Sequence, residues 1–181
     1  MKLWLLRHAQ PLIDTGICYG ATDVAADTVA TEATAMAFAQ LVPQFLTVST
    51  SPLQRCEQLA EALKGLRPDL TIRQDIRLAE MDFGCWEGVR WAAIGKEAFD
   101  PWMADFGSYR FGGRESVNML MHRVAAALQD TRILDTEAIW ITHAGVIRAA
   151  TLIAQGTQEL TRADQWPKDV PAFGAWCRIE L

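Results

Sequence analysis

The chain has no basic excess and no long apolar run. Its formal net charge is −5 at pH 7 and its pI about 5.2, so it lacks the positive stripe with which proteins neutralise nucleic-acid phosphates. Its apolar runs are too short or too interrupted to span a bilayer, and no signal-peptide cleavage pattern follows the first strand. We therefore expect no nucleic-acid partner, no membrane association and a cytoplasmic location.

Cysteine patterns that would indicate a metal or a disulfide framework are also missing. The four cysteines are scattered, with no C-x-x-C pair and no histidine at ligand spacing. We expect reduced thiols packed as small hydrophobic groups. No dense cluster of Asp, Glu and His suggests a metal site, and the sequence indicates no cofactor.

What the chain does have is the pattern of one α/β domain covering residues 1–181. Half of its residues are apolar, and it shows no repeat, linker or low-complexity segment. The alternation of strands and helices predicts a mainly parallel sheet covered on both faces, a three-layer α/β/α sandwich. The predicted strands are Lys2–Leu6, Thr47–Ser51, Leu70–Arg73, Ala138–Thr142 and Phe173–Leu181. The predicted helices are Thr28–Leu46, Pro52–Leu66, Arg90–Phe106 (in patches broken by Pro101), Glu115–Thr131 and Gly145–Gln155.

Polar residues follow three of these strands directly. Arg7-His8, Ser51 and Thr142-His143 all lie at predicted strand ends. Because ligands of parallel α/β sheets bind beyond the carboxyl ends of the strands, we expect these clusters to converge.

The residues at these ends suit phosphoryl transfer. A neutral imidazole such as His8 can attack phosphorus and form a covalent intermediate. The dianionic phosphate needs fixed cations, and Arg7 and Arg55 are the candidates because guanidinium groups match phosphate oxygens and stay charged. Glu80, between apolar neighbours, is the candidate general acid, while Asp82 and Glu87 are rivals on chemistry alone.

Four motifs then resemble one family. They are Leu5-Leu6-Arg7-His8, Ser51-Pro52-Leu53-x-Arg55, Glu80-x-x-Phe83-Gly84-x-Trp86-Glu87-Gly88 and Thr142-His143-Ala144-Gly145-Val146-Ile147-Arg148. In this order they resemble the histidine phosphatase superfamily, in its phosphoglycerate-mutase-like branch. The resemblance implies an α/β/α sandwich, a small phosphorylated substrate and a phosphohistidine at His8. It also implies that Arg7, Arg55 and His143 hold the phosphoryl group, with charge from arginine and imidazolium, and that Glu80 is the acid.

Two looser motifs are similar to the α-ribazole phosphatases of cobalamin biosynthesis. They are Cys18-Tyr19-Gly20-x-Thr22-Asp23-Val24 and Phe111-Gly112-Gly113-Arg114-Glu115-Ser116, the second with Arg114 inserted. Glu115-Ser116 is equally well explained as a helix cap. A sugar or other small-molecule phosphatase, a phosphoglycerate mutase, a protein-phosphohistidine phosphatase and a non-catalytic phospho-ligand binder remain alternatives. The oligomeric state stays open.

The first phosphate loop departs from the family pattern. Ala9 and Ala144 replace glycines that meet the phosphate, which is tolerable where φ is negative. Pro11 and Asp14 stand where the family has Thr and Asn. Either Asp14 points away, or the loop has another shape, or activity is reduced; we favour the second, with Thr22 or the Gly20 amide taking over the phosphate contact. Trp86, Trp91 or Trp102 could line the pocket and stack on an aromatic leaving group.

Overall fold

The computed structural model describes all 181 residues and centres on a five-stranded sheet. The strands are β1 (Lys2–Arg7), β2 (Thr47–Thr50), β3 (Thr71–Gln74), β4 (Ala138–Thr142) and β5 (Trp176–Glu180), in the order β3-β2-β4-β1-β5. The first four run parallel, and β5 pairs antiparallel with β1 at one edge. Helices cover both faces, so the predicted three-layer α/β/α sandwich is confirmed.

Alternation along the central strands fills two cores. On β1, Leu3 and Leu5 face one side of the sheet, whereas Trp4 and Leu6 face the other. The first face packs against α4 (Val117–Ile133) and α5 (Ala144–Ala154), and the second against α1 (Thr28–Ala39) and α2 (Gln54–Leu66). Strand β4, buried at all five positions, alternates in the same way. Both faces of a central parallel strand must be apolar, which explains its continuous hydrophobic sequence.

All five helices differ at one or both ends from the sequence prediction, and for two of them the structure shows the reason. Helix α1 ends at Ala39 rather than at Leu46, because Pro43 disfavours a helical conformation of the residue before it and the chain must turn into β2. Helix α2 begins at Gln54, so Pro52 precedes the helix instead of lying in its first turn. The Gln54 backbone N–H donates to Asp23 Oδ1 (2.7 Å), so a carboxylate of the first loop caps this helix.

An aromatic cluster stands beside the sheet on the 83–111 segment. Helix α3 (Lys96–Ala104) runs through Pro101, which does not break it as predicted; the helix loses one backbone hydrogen bond there. Its Trp102 stacks on Phe111, with ring centroids 4.2 Å apart. Around these two pack Phe83, Trp86, Trp91 and Phe99. No helix has the length and apolar character needed to cross a membrane.

Candidate active site

Three strand ends meet at the carboxyl edge of the sheet, as predicted. The His8 backbone N–H donates to Thr142 O (3.1 Å), and the Ser51 N–H donates to Ile141 O (3.0 Å), which ties the ends of β1 and β2 to the end of β4. The rings of His8 and His143 then lie with their centroids 5.1 Å apart. The sheet order thus places both histidines over one small area.

His8 is buried and neutral. Its Nδ1–H donates to the carbonyl oxygen of Ala9 (2.8 Å), which assigns the tautomer and leaves the lone pair on Nε2. Burial, together with the charges of Arg55 and Arg7, lowers the pKa of His8 to about 3 against the opposing effect of the Ala9 carbonyl. The imidazole is therefore unprotonated throughout the physiological pH range.

Arg55, fully buried in the first turn of α2, is held by the first loop. Its Nη2 donates to Gly20 O (2.7 Å) and its Nη1 to Thr22 O (2.9 Å). Its Nε donates to His143 Nδ1 (3.2 Å). A guanidinium has five N–H groups, so each terminal nitrogen keeps one for a ligand.

His143 orients this arginine and carries no charge. Because Nδ1 accepts from Arg55, the proton is on Nε2, which donates to Ser51 Oγ (2.8 Å). Burial lowers the pKa of His143 well below its usual value, and the Arg55 charge adds to this effect. The expected imidazolium contribution is thus corrected, and the fixed positive charge comes from Arg7 and Arg55.

Arg7 is positioned by a segment near the C-terminus that the sequence did not indicate. Its Nη1 donates to Pro171 O (2.9 Å), and its guanidinium lies 4.0 Å from the ring centroid of Phe173, which also packs against His8. Burial lowers the pKa of Arg7, but a guanidinium remains charged at any working pH. Its Nε is buried without an acceptor in the protein.

Among the three candidate carboxylates, Glu80 is the one bound at the N-terminus of α5, two residues after His143. Its Oε2 accepts from the Gly145 N–H at the start of α5 (3.0 Å), and its Oε1 accepts from the Met81 N–H (3.0 Å). A Cβ on Gly145 would lie 2.2 Å from Glu80 Oε1, so glycine provides this approach. Asp82 instead accepts from the Gly84 N–H within its own turn (2.8 Å).

Glu87 binds the first loop, including the Gly20 amide and Thr22, the two groups predicted to contact phosphate. Its carboxylate accepts from the backbone N–H groups of Gly20, Ala21, Thr22 and Phe83, at 2.9 to 3.0 Å, and from the Thr22 hydroxyl. Burial opposes its ionisation, but these hydrogen bonds outweigh burial and lower the pKa of Glu87. The Gly20 amide and Thr22 are therefore bound to Glu87 and do not face the phosphoryl site. They contribute through their carbonyl groups, which hold Arg55.

Glu115 and Arg123 fix the backbone of the segment that ends at Glu80. Arg123 pairs with both oxygens of Glu115 and donates to the carbonyls of Arg77, Ala79 and Glu80. All five N–H groups of this guanidinium are thus used, and they fix the segment leading to Glu80. Ser116 is the N-cap of α4, accepting from the Met119 N–H (3.2 Å), so only the serine acts as the cap.

The departures in the first loop are accommodated. The Asp14 carboxylate is 79% exposed and pairs with Arg90 (3.3 Å), so it points away from the site, as in the first alternative; the changed loop shape stays a prediction. Ala9 and Ala144 have negative φ, as their alanine side chains require. Ala144 opens α5, where its backbone N–H has no acceptor inside the helix and can meet an anion.

This geometry coincides with a known family. A model of the histidine phosphatase superfamily (branch 1) matches residues 3–170. The chain belongs to that superfamily. It is thereby an enzyme of the histidine phosphatase type, with the phosphoglycerate-mutase-like fold.

Solved structures of other histidine phosphatase folds resemble this one. A mycobacterial glucosyl-3-phosphoglycerate phosphatase matches at 22% identity with a TM-score of 0.81, over 98% of this chain and 88% of its own. A complex of that protein with VO3 matches at 21% identity with a TM-score of 0.83, and the match covers 99% of this chain and 90% of the other. The protein TTHB049 from Thermus thermophilus matches at 27% identity with a TM-score of 0.73, and the match covers 99% of this chain and 94% of the other. A search of curated proteins gave no match.

Proposed function

We propose that this histidine phosphatase hydrolyses small phosphate monoesters through a phosphohistidine at His8, without a metal ion. The observation that carries the proposal is the state of His8. Its Nδ1–H is fixed on Ala9 O, its Nε2 lone pair is free, and two arginines lie close enough to affect its pKa. A neutral nucleophile between fixed cations is the arrangement that attack on a dianionic phosphate needs.

The reaction takes two displacements. His8 Nε2 forms a bond to phosphorus while the ester P–O bond breaks, and Glu80 gives its proton to the leaving oxygen. Arg7, Arg55 and the Ala144 N–H stabilise the charge on the phosphoryl oxygens. Glu80, now a carboxylate, takes a proton from water as that water attacks phosphorus and breaks the N–P bond. His143 acts through Arg55.

We propose α-ribazole 5′-phosphate as the first substrate to test. The support is the resemblance of the loop from Cys18 to Val24 and of the Gly112-to-Ser116 motif to the α-ribazole phosphatases. Glucosyl-3-phosphoglycerate is the second candidate, because a mycobacterial phosphatase of that substrate shares the fold. The cytoplasmic location and the absence of a nucleic-acid partner stay predictions.

The test is phosphate release from α-ribazole 5′-phosphate, glucosyl-3-phosphoglycerate, sugar phosphates, nucleotides and p-nitrophenyl phosphate. His8→Asn is the control, since its amide can still donate to Ala9 O. We expect turnover by the wild type only, an acid-labile phosphoryl label on His8, inhibition by vanadate and no effect of EDTA. Preference for another phosphate on the panel would change the substrate and keep the chemistry. Equal rates for wild type and variant on every compound would refute the hydrolase and favour a phospho-ligand binder.

A further inference from the structure

The segment that precedes the last strand binds the backbone and side chain of the Arg7-His8 pair. Pro171 O accepts from Arg7 Nη1 (2.9 Å). The Gly174 N–H donates to His8 O (3.0 Å), and Ala175 O accepts from the Arg7 backbone N–H (3.0 Å). Residues 171–175, which we call the C-terminal clamp, therefore hold the end of β1 through three hydrogen bonds.

A tight turn within the clamp orients one aromatic ring. The Ala175 N–H donates to Ala172 O (3.0 Å), which closes a β-turn, and Gly174 takes a φ of +72° at the third position of this turn. A Cβ at Gly174 would also lie 2.4 Å from Thr34 Oγ1 on α1, so glycine allows both the turn and its approach to that helix. Phe173, the second residue of the turn, is thus held on a well-defined backbone.

The Phe173 side chain contributes to none of the protein's cores. It is half-buried and belongs to none of the three hydrophobic clusters. Its ring centroid lies 4.0 Å from Arg7 Cζ and 5.4 Å from the centroid of the His8 ring. Because burial in a core does not account for the position of this ring, its contacts with the two site residues indicate its role.

Contact with the ring restricts the directions in which Arg7 donates. The face of an aromatic ring attracts a guanidinium electrostatically, and the N–H groups of that guanidinium donate in its own plane. Arg7 Nη1 already donates to Pro171 O, while Nη2 makes no hydrogen bond within the protein. The ring and the Pro171 carbonyl together orient the guanidinium and leave Nη2 for a phosphoryl oxygen.

The same ring restricts the nucleophile. The His8 imidazole contacts Phe173 and His143, with ring centroids at 5.4 and 5.1 Å, and its Nδ1–H donates to Ala9 O. Of these contacts, only the one with Phe173 comes from the clamp. Phe173 therefore links the orientation of His8 to that of Arg7.

We propose that Phe173 is a positioning residue for phosphoryl transfer, whose ring holds the Arg7 guanidinium for phosphate binding and the His8 imidazole for attack. The proposal rests on the proposed phosphatase function. It goes beyond that function because Phe173 lies in none of the motifs that resemble the family.

Binding of inorganic phosphate to His8→Asn, measured by calorimetry, tests the contact with Arg7 without turnover. In this background Phe173→Leu keeps an apolar side chain and removes the aromatic face, so the Kd for phosphate should rise about tenfold. Phe173→Met, a second variant without a ring, should give the same rise, and Phe173→Tyr should restore the original Kd. Phe99→Leu changes another half-buried phenylalanine, in the aromatic cluster, and should leave the Kd unaltered.

A double-mutant cycle separates positioning from a general loss of structure. Arg7→Met removes the group that the ring holds, so adding Phe173→Leu to it should change the Kd for phosphate less than twofold. A similar weakening by Phe173→Leu with and without Arg7 would show a structural defect and overturn the proposal. Thermal unfolding checks that the variants are folded.

Kinetics with His8 present test the contact with the nucleophile. For p-nitrophenyl phosphate, Phe173→Leu should raise KM about tenfold through Arg7 and lower kcat about 10- to 100-fold through His8. Phe173→Tyr should restore both constants.

The outcomes separate this proposal from the proposed function. Wild-type kinetics in Phe173→Leu would overturn the role of Phe173 while the phosphatase stands. Phosphate binding to His8→Asn that depends on the ring supports the role even if no ester is hydrolysed, and binding that is independent of the ring refutes it. If His8→Asn binds no phosphate, the assignment of Arg7 to the phosphoryl site fails, and this proposal fails with it.

Discussion

Acid should destabilise this protein through His8, because its burial is tolerated only in the neutral form. The imidazole has an ordinary pKa of 6.5 in the unfolded chain and about 3 in the folded one. The unfolded chain therefore binds the proton first, and the stability is full above pH 6.5 and lost progressively as the pH falls toward 3. For these values the loss from His8 between pH 7 and pH 5 is about 2 kcal/mol.

The assay is urea unfolding followed by tryptophan fluorescence at pH 7, 6 and 5, for the wild type and for His8→Asn. The seven tryptophans give a strong signal, and the asparagine amide keeps the contact with Ala9 O without titrating. The wild type should lose about 2 kcal/mol more than the variant over this range. Parallel pH dependences of the two proteins would refute the reasoning, since His8 would then be solvated or protonated in the fold. His143, which is present in both, cancels from the difference.

Three other substitutions test the support of the site. Glu87→Gln removes an acceptor for the N–H groups of the loop that holds Arg55, so kcat/KM for an aryl phosphate should fall by about 10²-fold. Unchanged kinetics would show that Arg55 keeps its position without the Glu87 carboxylate. Gly145→Ala places a methyl group against Glu80, so turnover of alkyl phosphates should fall more than that of p-nitrophenyl phosphate, and equal losses would contradict this. Arg123→Met removes the cation beside the Glu115 carboxylate and the donors to three carbonyls, which should cost about 3–5 kcal/mol in chemical denaturation. A loss below about 1 kcal/mol would argue against the network.

The sequence predicted the parts of this site that lie at strand ends. His8, Ser51 and His143 follow buried strands directly, so the sheet alone brings them together. Arg55 and Glu80 were proposed from their local sequence, and the resemblance to a family singled out Glu80 from its rivals Asp82 and Glu87. The convergence of the strand ends could be predicted because the information is local: a strand, its end and the residue after it.

The other features of the site depend on contacts between residues far apart in the sequence, which sequence patterns do not show. Nothing near Gly20 in the sequence indicates that its amide donates to a carboxylate 67 positions away. The amide was therefore predicted to bind phosphate, whereas the structure uses the Gly20 carbonyl to hold Arg55. Asp14 is drawn outward by Arg90, 76 positions along the chain. Phe173 was missed because its contacts with Arg7 and His8 exist only once β5 has docked. The start of α2 shifted for the same reason, since Asp23 supplies its cap.

The central position of β1 has a consequence for biosynthesis. This strand is made first, but its neighbours in the sheet are β4 and β5, the last two strands of the chain. At about 5–20 residues per second, the ribosome needs roughly 7 to 27 s to reach the first residue of β4 after making the start of β1. Over that interval the apolar sequence from Leu3 to Leu6 has no partner strand, and sheets closed by such distant pairings form slowly. The nascent chain therefore carries an unpaired hydrophobic strand until β4 has been made, and His8 at the end of that strand gains its contacts with His143 and Phe173 only after that.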